Sequence, residues 1–375
     1  MNLLEKIHLL GASAKWDTCA STASPRKAVG TDRIGNVASS GICHSFGTDG
    51  RCISLFKTLY SNACSYDCSY CTNSASCTQK KTASYTPEEL CKVFMHLYMR
   101  NYVEGIFLSS GVIKDPDTTA EQLINTLTLL RTRYKFAGYV HLKIIPGTHY
   151  SLIRQASELA DRLSINLEAP NKQRLSEISS VKDFKVDIMR RQSWMSRMDI
   201  PAGHTTQLVV GGSGETDKEI LSVIDWEYNN LNLKRGYYSA FQPIINTPLQ
   251  NRIGTPIKRE HRLYNVDFML RRYGIRLKEF YTIMDDGMLP DQDPKLALAK
   301  EYFDGPVDIN QSSFDELVRI PGIGPRSAQR IFSIQKNRSK IVSLQELKNI
   351  GVVLKRALPF ISISGKSQTT LEAFA

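Results

Sequence analysis

The stretch ISLFKTLYSNACSYDCSYC, residues 53–71, runs from a β-rich segment straight into three cysteines, Cys64, Cys68 and Cys71, set within eight positions. ISLFKTL (53–59) reads as a strand. A thiol cluster directly behind it lies at the strand-to-helix end, where barrels and open α/β sheets place their chemistry. Outward from there follow five more short β-rich runs: GIFLSS (105–110), YVHLKII (139–145), LSINLE (163–168), TQLVVGG (206–212) and YYSAFQP (237–243). Longer stretches of helical period separate them, which is the pattern of a parallel sheet with crossover helices. Thr86-Pro-Glu-Glu89 and Thr216-Asp-Lys-Glu219 both fit the capping box that opens a helix, with Pro87 at a first helical position. Residues 53–283 are therefore predicted to form an α/β unit, a partial (βα)6 TIM-like barrel.

Residues 284–306 carry turn residues around a short helical segment and read as a linker. An internal repeat follows. Ser313-Phe-Asp-Glu-Leu317 recurs as Ser343-Leu-Gln-Glu-Leu347, each a capping box, followed by Ile320-Pro-Gly-Ile-Gly324 and Ile350-Gly-Val-Val353. Residues 307–363 are thus expected to be a small all-α domain of two helical hairpins, with 364–375 as a tail. Residues 1–52, rich in Ser, Gly and Ala and containing Cys19, Cys43 and Cys52, read as irregular.

The chain has 375 residues and 42% hydrophobic content, enough for one large and one small domain. It has no run of eighteen apolar residues, and its opening lacks the long apolar stretch and cleavage site of a secretory signal, so a cytoplasmic protein with no membrane association is expected. In a reducing compartment eight cysteines argue for metal or redox chemistry over a disulfide framework. The net charge is +11, and residues 307–375 hold ten Lys or Arg against five acids, which makes polyanions expected partners of that end.

A four-iron four-sulfur (4Fe-4S) cluster held by three cysteines leaves one iron open, and an open iron is a reaction site. The C-x3-C-x2-C spacing with an aromatic before the last cysteine, present as Cys64, Cys68, Tyr70 and Cys71, resembles the radical S-adenosylmethionine (SAM) superfamily. Two other readings stay open at this level: a zinc site with Cys77 as fourth thiolate, and a purely structural cluster.

The resemblance implies that S-adenosylmethionine binds the open iron and is cleaved reductively to a 5′-deoxyadenosyl radical, which abstracts a substrate hydrogen. Cys64, Cys68 and Cys71 then look like the iron ligands and Tyr70 like the residue beside the adenine. Ser109-Ser110-Gly111 stands where the superfamily usually binds the methionine amino group with a Gly-Gly-Glu segment, whose acid is absent here. Glu168 and Asn166 resemble the fourth-strand polar contacts to ribose or methionine, and Gly211-Gly212 the fifth-strand glycines against the adenine. His141 and Lys143 share one side of the third strand. Cys19, Cys43 and Cys52 are candidates for a second cluster or a hydrogen-donating thiol.

LVRIPGIGPRSAQRI (317–331) resembles the helix-hairpin-helix motif of DNA polymerases and glycosylases. Gly322 and Gly324 turn the chain sharply and expose amides at a helix start, where a phosphate oxygen is favoured. Arg326 and Arg330, one helical turn apart, add salt-sensitive attraction, and Lys355 does so from the second hairpin. Such contacts position the phosphate backbone without reading sequence; protein docking is the alternative use. Over nearly its full length the chain resembles a bacterial family of radical SAM proteins assigned to DNA modification or repair, whose members work beside a glycosylase-like DNA metabolism protein. An enzyme modifying or repairing a nucleotide in DNA, supplied by an electron donor, is the expectation. A DNA-binding protein with a structural or redox-sensing cluster and an RNA-modifying radical SAM enzyme are the alternatives.

Overall fold

The structure is a computed structural model and describes residues 1–14, 42–46, 52–77 and 80–367. The chain divides into two compact units, Met1–Glu215 with Trp226–Thr255, and Thr216–Asp225 with Pro256–Ala375.

The first unit is built on a sheet of seven strands in sequence order: β1 (Ile42–Phe46), β2 (Cys52–Leu59), β3 (Gly105–Ser109), β4 (Tyr139–Lys143), β5 (Arg162–Ser164), β6 (His204–Val210) and β7 (Arg235–Ala240). β2 to β7 are parallel throughout, and β1 pairs antiparallel with β2. The six parallel strands are those read from the sequence. Each crossover leads to the neighbouring strand, so the sheet curls in one direction into a half barrel with its helices outside. Every residue of β3 and β6 is buried, as strands covered on both faces require.

The helices are α1 (Leu3–Ser13), α2 (Pro87–Met99), α3 (Pro116–Thr132), α4 (Tyr150–Leu159), α5 (Lys172–Ser176), a π-helical turn (Phe184–Met189), α6 (Arg190–Met195) and α7 (Asp217–Asn230). The capping box at α2 forms as predicted: Thr86 Oγ1 accepts from the Glu89 N–H at 3.2 Å, and the Glu89 carboxylate accepts from the Thr86 N–H at 2.9 Å. α7 opens with its reciprocal pair, Thr216 and Glu219. Two elements fall within residues 1–52, read above as irregular. α1 is fixed by a capping box between Asn2 and Glu5, and β1 by pairing with β2, a long-range contact that composition does not signal.

The second unit contains α8 (Ile257–Tyr273), α9 (Leu277–Phe280), α10 (Pro294–Tyr302), α11 (Phe314–Arg319), α12 (Pro325–Lys336), α13 (Leu344–Asn349) and α14 (Leu354–Ala357). Leu317, Ile320, Ile323 and Ile331 of the first hairpin share one core with Leu347 and Ala357 of the second. α10 lies in the stretch read as a linker, and its Ala299, with Leu296 and the following Phe303, packs on that same core. A short sheet of order β10-β9-β8 accompanies the hairpins: β8 (Val307–Asp308), β9 (Ile361–Ile363) and β10 (Lys366–Ser367). Among the described residues no helix is long and apolar enough to cross a membrane.

Candidate functional site

The cysteine loop leaves β2 at Leu59 and is pinned to two neighbouring segments. The Ser65 N–H donates to the Val112 carbonyl (2.7 Å), Ser69 N–H to Ile178 O (2.8 Å), and Gly111 N–H to Ser61 O (2.7 Å). A Cβ at Gly111 would stand 2.5 Å from the Ala63 carbonyl oxygen, so a glycine is needed for the loop to lie this close to the end of β3. Asp67 clamps the other side, accepting from Ser179 Oγ (2.7 Å) and from the Ser180 N–H (2.8 Å) and Oγ (2.5 Å). Burial pushes its carboxyl up, but these donors outweigh burial and hold it at about 2.

Cys64, Cys68, Tyr70 and Cys71 line one cavity at the carboxyl ends of the parallel strands, together with Ser109, Ser110, Gly111, Asn166 and Glu168. The cavity opens to solvent, so a ligand can enter it from outside. Burial pushes the Cys68 thiol up and drives the Cys71 thiol to about 12, so these thiols become thiolates only when a cationic or metal partner repays the desolvation. The donor set therefore fits an iron-sulfur cluster with one iron free of protein. Cys77 does not join it: its thiol points at the backbone, towards Asn246 O (3.0 Å) and Cys71 O (3.5 Å).

Glu168 is the polar centre of the cavity wall. It is buried, with its backbone in the left-handed region at φ 64°, held there by the Gln207 carbonyl (3.0 Å from its N–H) and the Val209 N–H (2.8 Å to its carbonyl). A non-glycine residue in that region at a strand end stores strain, a feature that clusters at functional sites. Its carboxylate accepts from Asn166 Nδ2 at 3.3 Å and from Lys182 Nζ at 3.1 Å, and bonds the Tyr70 hydroxyl. Lys182, which sequence reading missed, is buried and lines the same cavity. Burial pulls its ammonium down, but Cys68 and Glu168 more than compensate and leave it above its ordinary value. No pattern marks this lysine in the chain: it lies on the irregular stretch before the π-helical turn.

Lys143 reaches the cavity and His141 the space beneath it, so the shared side of β4 is the barrel interior. His141 stacks on Phe107 with ring centres 4.2 Å apart and bonds Ser164 Oγ at 2.8 Å. Burial and then the Arg162 and Lys143 charges push its imidazole well below the usual range, so it is neutral. Gly211 and Gly212 do not line the cavity; β6 meets it through Gln207 and Val209. The Gly211 N–H instead bonds the buried Glu215 carboxylate, which also accepts from the Ser213 N–H (3.0 Å) and Oγ (2.7 Å), closing the glycine turn on itself. Cys43 is buried against Ile53, Leu55 and Phe107, and Cys52 is exposed. Cys19 lies outside the described residues.

Against known proteins, residues 58–226 match the radical SAM superfamily, and residues 304–358 a helix-hairpin-helix motif. Residues 58–226 are a radical SAM domain. Enzymes of that superfamily use a 4Fe-4S cluster and S-adenosylmethionine, which requires an electron donor. No curated protein sequence matches the chain. Among solved structures it is similar to the FeFe-hydrogenase maturase HydG (15% identity, TM-score 0.46, over 57% of this chain and 49% of that one). It is also similar to methylornithine synthase, PylB (11%, 0.47, 57% and 61%), and to HydG from Carboxydothermus hydrogenoformans (13%, 0.46, 80% and 70%). The chain thus spans only 49% and 61% of the length of the first two.

Beyond the radical SAM domain, the two hairpins lean on each other. Gly322, at φ 85°, approaches the second turn so closely that a Cβ would stand 2.4 Å from Val353 O, and its carbonyl accepts from the Val353 N–H at 2.9 Å. Gly324 has ordinary dihedrals, and a Cβ there would meet only the Tyr273 hydroxyl, in ordinary contact at 3.7 Å; it caps α12 with no side-chain acceptor, leaving first-turn amides for an anion. Arg326 is exposed beside it. Arg330 donates to Ile350 O at 3.1 Å and so braces the second hairpin. Lys355 is exposed, but on a helix of four residues behind Val353, too short for a dipole of consequence. Lys295 of α10 was also missed: its buried ammonium donates to Ile323 O at 2.5 Å inside the first turn and lies 4.6 Å from the Tyr273 ring centre.

Proposed function

We propose that this chain uses its radical SAM domain to modify or repair a nucleotide in DNA. The observation that carries the reading is the convergence of Cys64, Cys68, Cys71, Asn166, Glu168 and Tyr70 on one cavity, in a chain that also holds a helix-hairpin-helix motif. On this reading Cys64, Cys68 and Cys71 hold the cluster. A cluster held there would supply the electron for reductive cleavage of S-adenosylmethionine, the step that makes abstraction of a substrate hydrogen possible. Backbone groups of Ser109, Ser110 and Gly111 receive the methionine amino group in place of the missing acid. Asn166 and Glu168 orient ribose or methionine, and Tyr70, tethered to Glu168, forms the adenine wall. Lys182 neutralises Glu168 at the cavity wall, and Lys143 presents a cation from the floor to an anionic substrate group.

The barrel strands and loops of residues 53–255 are the catalytic part and the hairpins of 307–363 the nucleic-acid-binding part, with α10 of the intervening stretch packed on the hairpin core. Gly322, Gly324 and Arg326 grip phosphate independently of sequence, while Arg330 and Lys355 add charge. Such a cavity admits an extrahelical or single-stranded nucleotide and excludes a stacked duplex. A glycosylase-like protein is a fitting partner for such a reaction.

The test is anaerobic reconstitution of the full chain with iron, sulfide and reductant, followed by S-adenosylmethionine and either DNA or matched RNA. Release of 5′-deoxyadenosine that rises with DNA is expected. Cys68→Ala is expected to lose both this release and most bound iron. Release stimulated by RNA alone would reassign the substrate, and no release with the iron intact would leave a non-catalytic cluster.

A further inference from the structure

Ile245 and Ile253, at 80% and 91% exposure, are the most exposed large apolar side chains among the described residues, and they stand on one loop. Residues 243–255 follow β7 at the carboxyl end of the sheet. The loop is built, not slack. Thr247, itself buried, donates its N–H (3.2 Å) and hydroxyl (2.7 Å) to Ile244 O. Gln250 N–H donates to Thr247 O and Arg252 N–H to Leu249 O, both at 3.0 Å. Asn246 takes the left-handed φ of 66° that Asn tolerates.

The same loop forms a rim of the radical SAM cavity. Ile244 and Gln242 line the cavity, and the Cys77 thiol and Leu249 N–H tie the loop to the cysteine segment. Ile245 adjoins Ile244, and Ile253 adjoins Gly254, which lies against Gln242. Beside them, Arg252 and Arg174 both reach Gly214, their guanidinium nitrogens 3.3 and 3.6 Å from where a Cβ there would stand. Residues 243–255 contain no acid. Two separate aliphatic tips among Asn, Gln and Arg do not make the continuous apolar face of a protein interface. They do match an apolar wedge flanked by cations, the arrangement that unstacks bases.

We propose that loop 243–255 is a strand-opening wedge: Ile245 and Ile253 enter a base stack while Arg252 and Arg174 face the phosphates, directing the displaced nucleotide to the cavity. This rests on the nucleotide-substrate reading above. The test uses the reconstituted full chain and a DNA duplex carrying one mismatched 2-aminopurine. Wild type is expected to bind and raise its fluorescence by unstacking. The doubly substituted I245S/I253S chain, with unchanged iron content and circular dichroism, is expected to bind with the same salt dependence and leave the fluorescence at its free value. R252Q is expected to bind more weakly yet reach the full signal at saturation. A full signal from I245S/I253S overturns the wedge and leaves the DNA reading standing. No binding by wild type removes the DNA reading and the wedge together. Sedimentation showing a wild-type dimer that I245S/I253S breaks, with fluorescence unchanged, would make the tips a self-association surface and also refute the proposal.

Discussion

Replacing Glu227 by glutamine isolates one buried charge in the barrel unit. Glu227 lies on α7 at 0% exposure, and neither carboxyl oxygen has a hydrogen-bond partner among the described residues. Burial raises its carboxyl from 4.5 to about 8; Gln192, also fully buried, pulls it back slightly without reaching hydrogen-bond geometry. The folded chain therefore keeps a proton here that the unfolded chain loses at its lower value. The stability contribution is fully present at pH below about 4.5 and is lost as pH rises towards 8. Each pH unit in that window is worth up to ~1.4 kcal/mol, or roughly 4–5 kcal/mol across it. Glutamine keeps the shape and cannot ionise, so Glu227→Gln should gain on wild type as pH rises from 5 to 8.5. At ~2–4 °C per kcal/mol for a unit of this size, the melting midpoints should separate by roughly 10–20 °C. Thermal unfolding of both chains at several pH values measures this. Parallel profiles over the whole range would show that Glu227 is hydrated or paired in solution and refute the argument.

Lys182→Met leaves the buried Glu168 carboxylate without its cation, and should cost about 3–5 kcal/mol in thermal unfolding; an unchanged midpoint would mean that Glu168 takes up a proton or water instead. Gly322→Ala forces a Cβ against Val353 O at a φ of 85°, so it should destabilise the hairpin unit by more than ~1 kcal/mol. Gly324→Ala brings its Cβ only into ordinary contact with the Tyr273 hydroxyl at 3.7 Å and should leave the stability within about 0.5 kcal/mol of wild type. If both hold their stability, the close approach of the two turns is wrong. Lys295→Met removes the donor to Ile323 O and should cost about 1–3 kcal/mol, read as faster amide exchange in α11 and α12 relative to the sheet of the barrel unit.

The strands were legible because parallel strands covered on both faces must be almost wholly apolar, which writes them as short β-rich runs such as GIFLS and TQLVV. The cysteine triad was legible because its members are close in sequence, and the fold brings all three to one cavity. Asn166 and Glu168 followed from period two. Lys182 was not legible: its partners come from the cysteine loop and the segment after β5, and a lone lysine in an irregular segment has no local signature. Gly211 and Gly212 looked like a ligand loop, because composition cannot reveal that Glu215 already occupies their turn. Arg330 is exposed and also braces the Ile350 carbonyl, a contact that residue order does not show.

Residue order by itself determined the alternating half barrel, the cysteine loop and the paired hairpins, since each is encoded by neighbours within a turn or a strand. Tertiary structure alone decided which polar side chains face one another: the Glu168–Lys182 pair, the lysine beneath the hairpin turn and the apolar tips at the cavity rim. No local sequence pattern links the partners in those contacts, and their energies come from burial and desolvation, which exist only once the chain has closed around them.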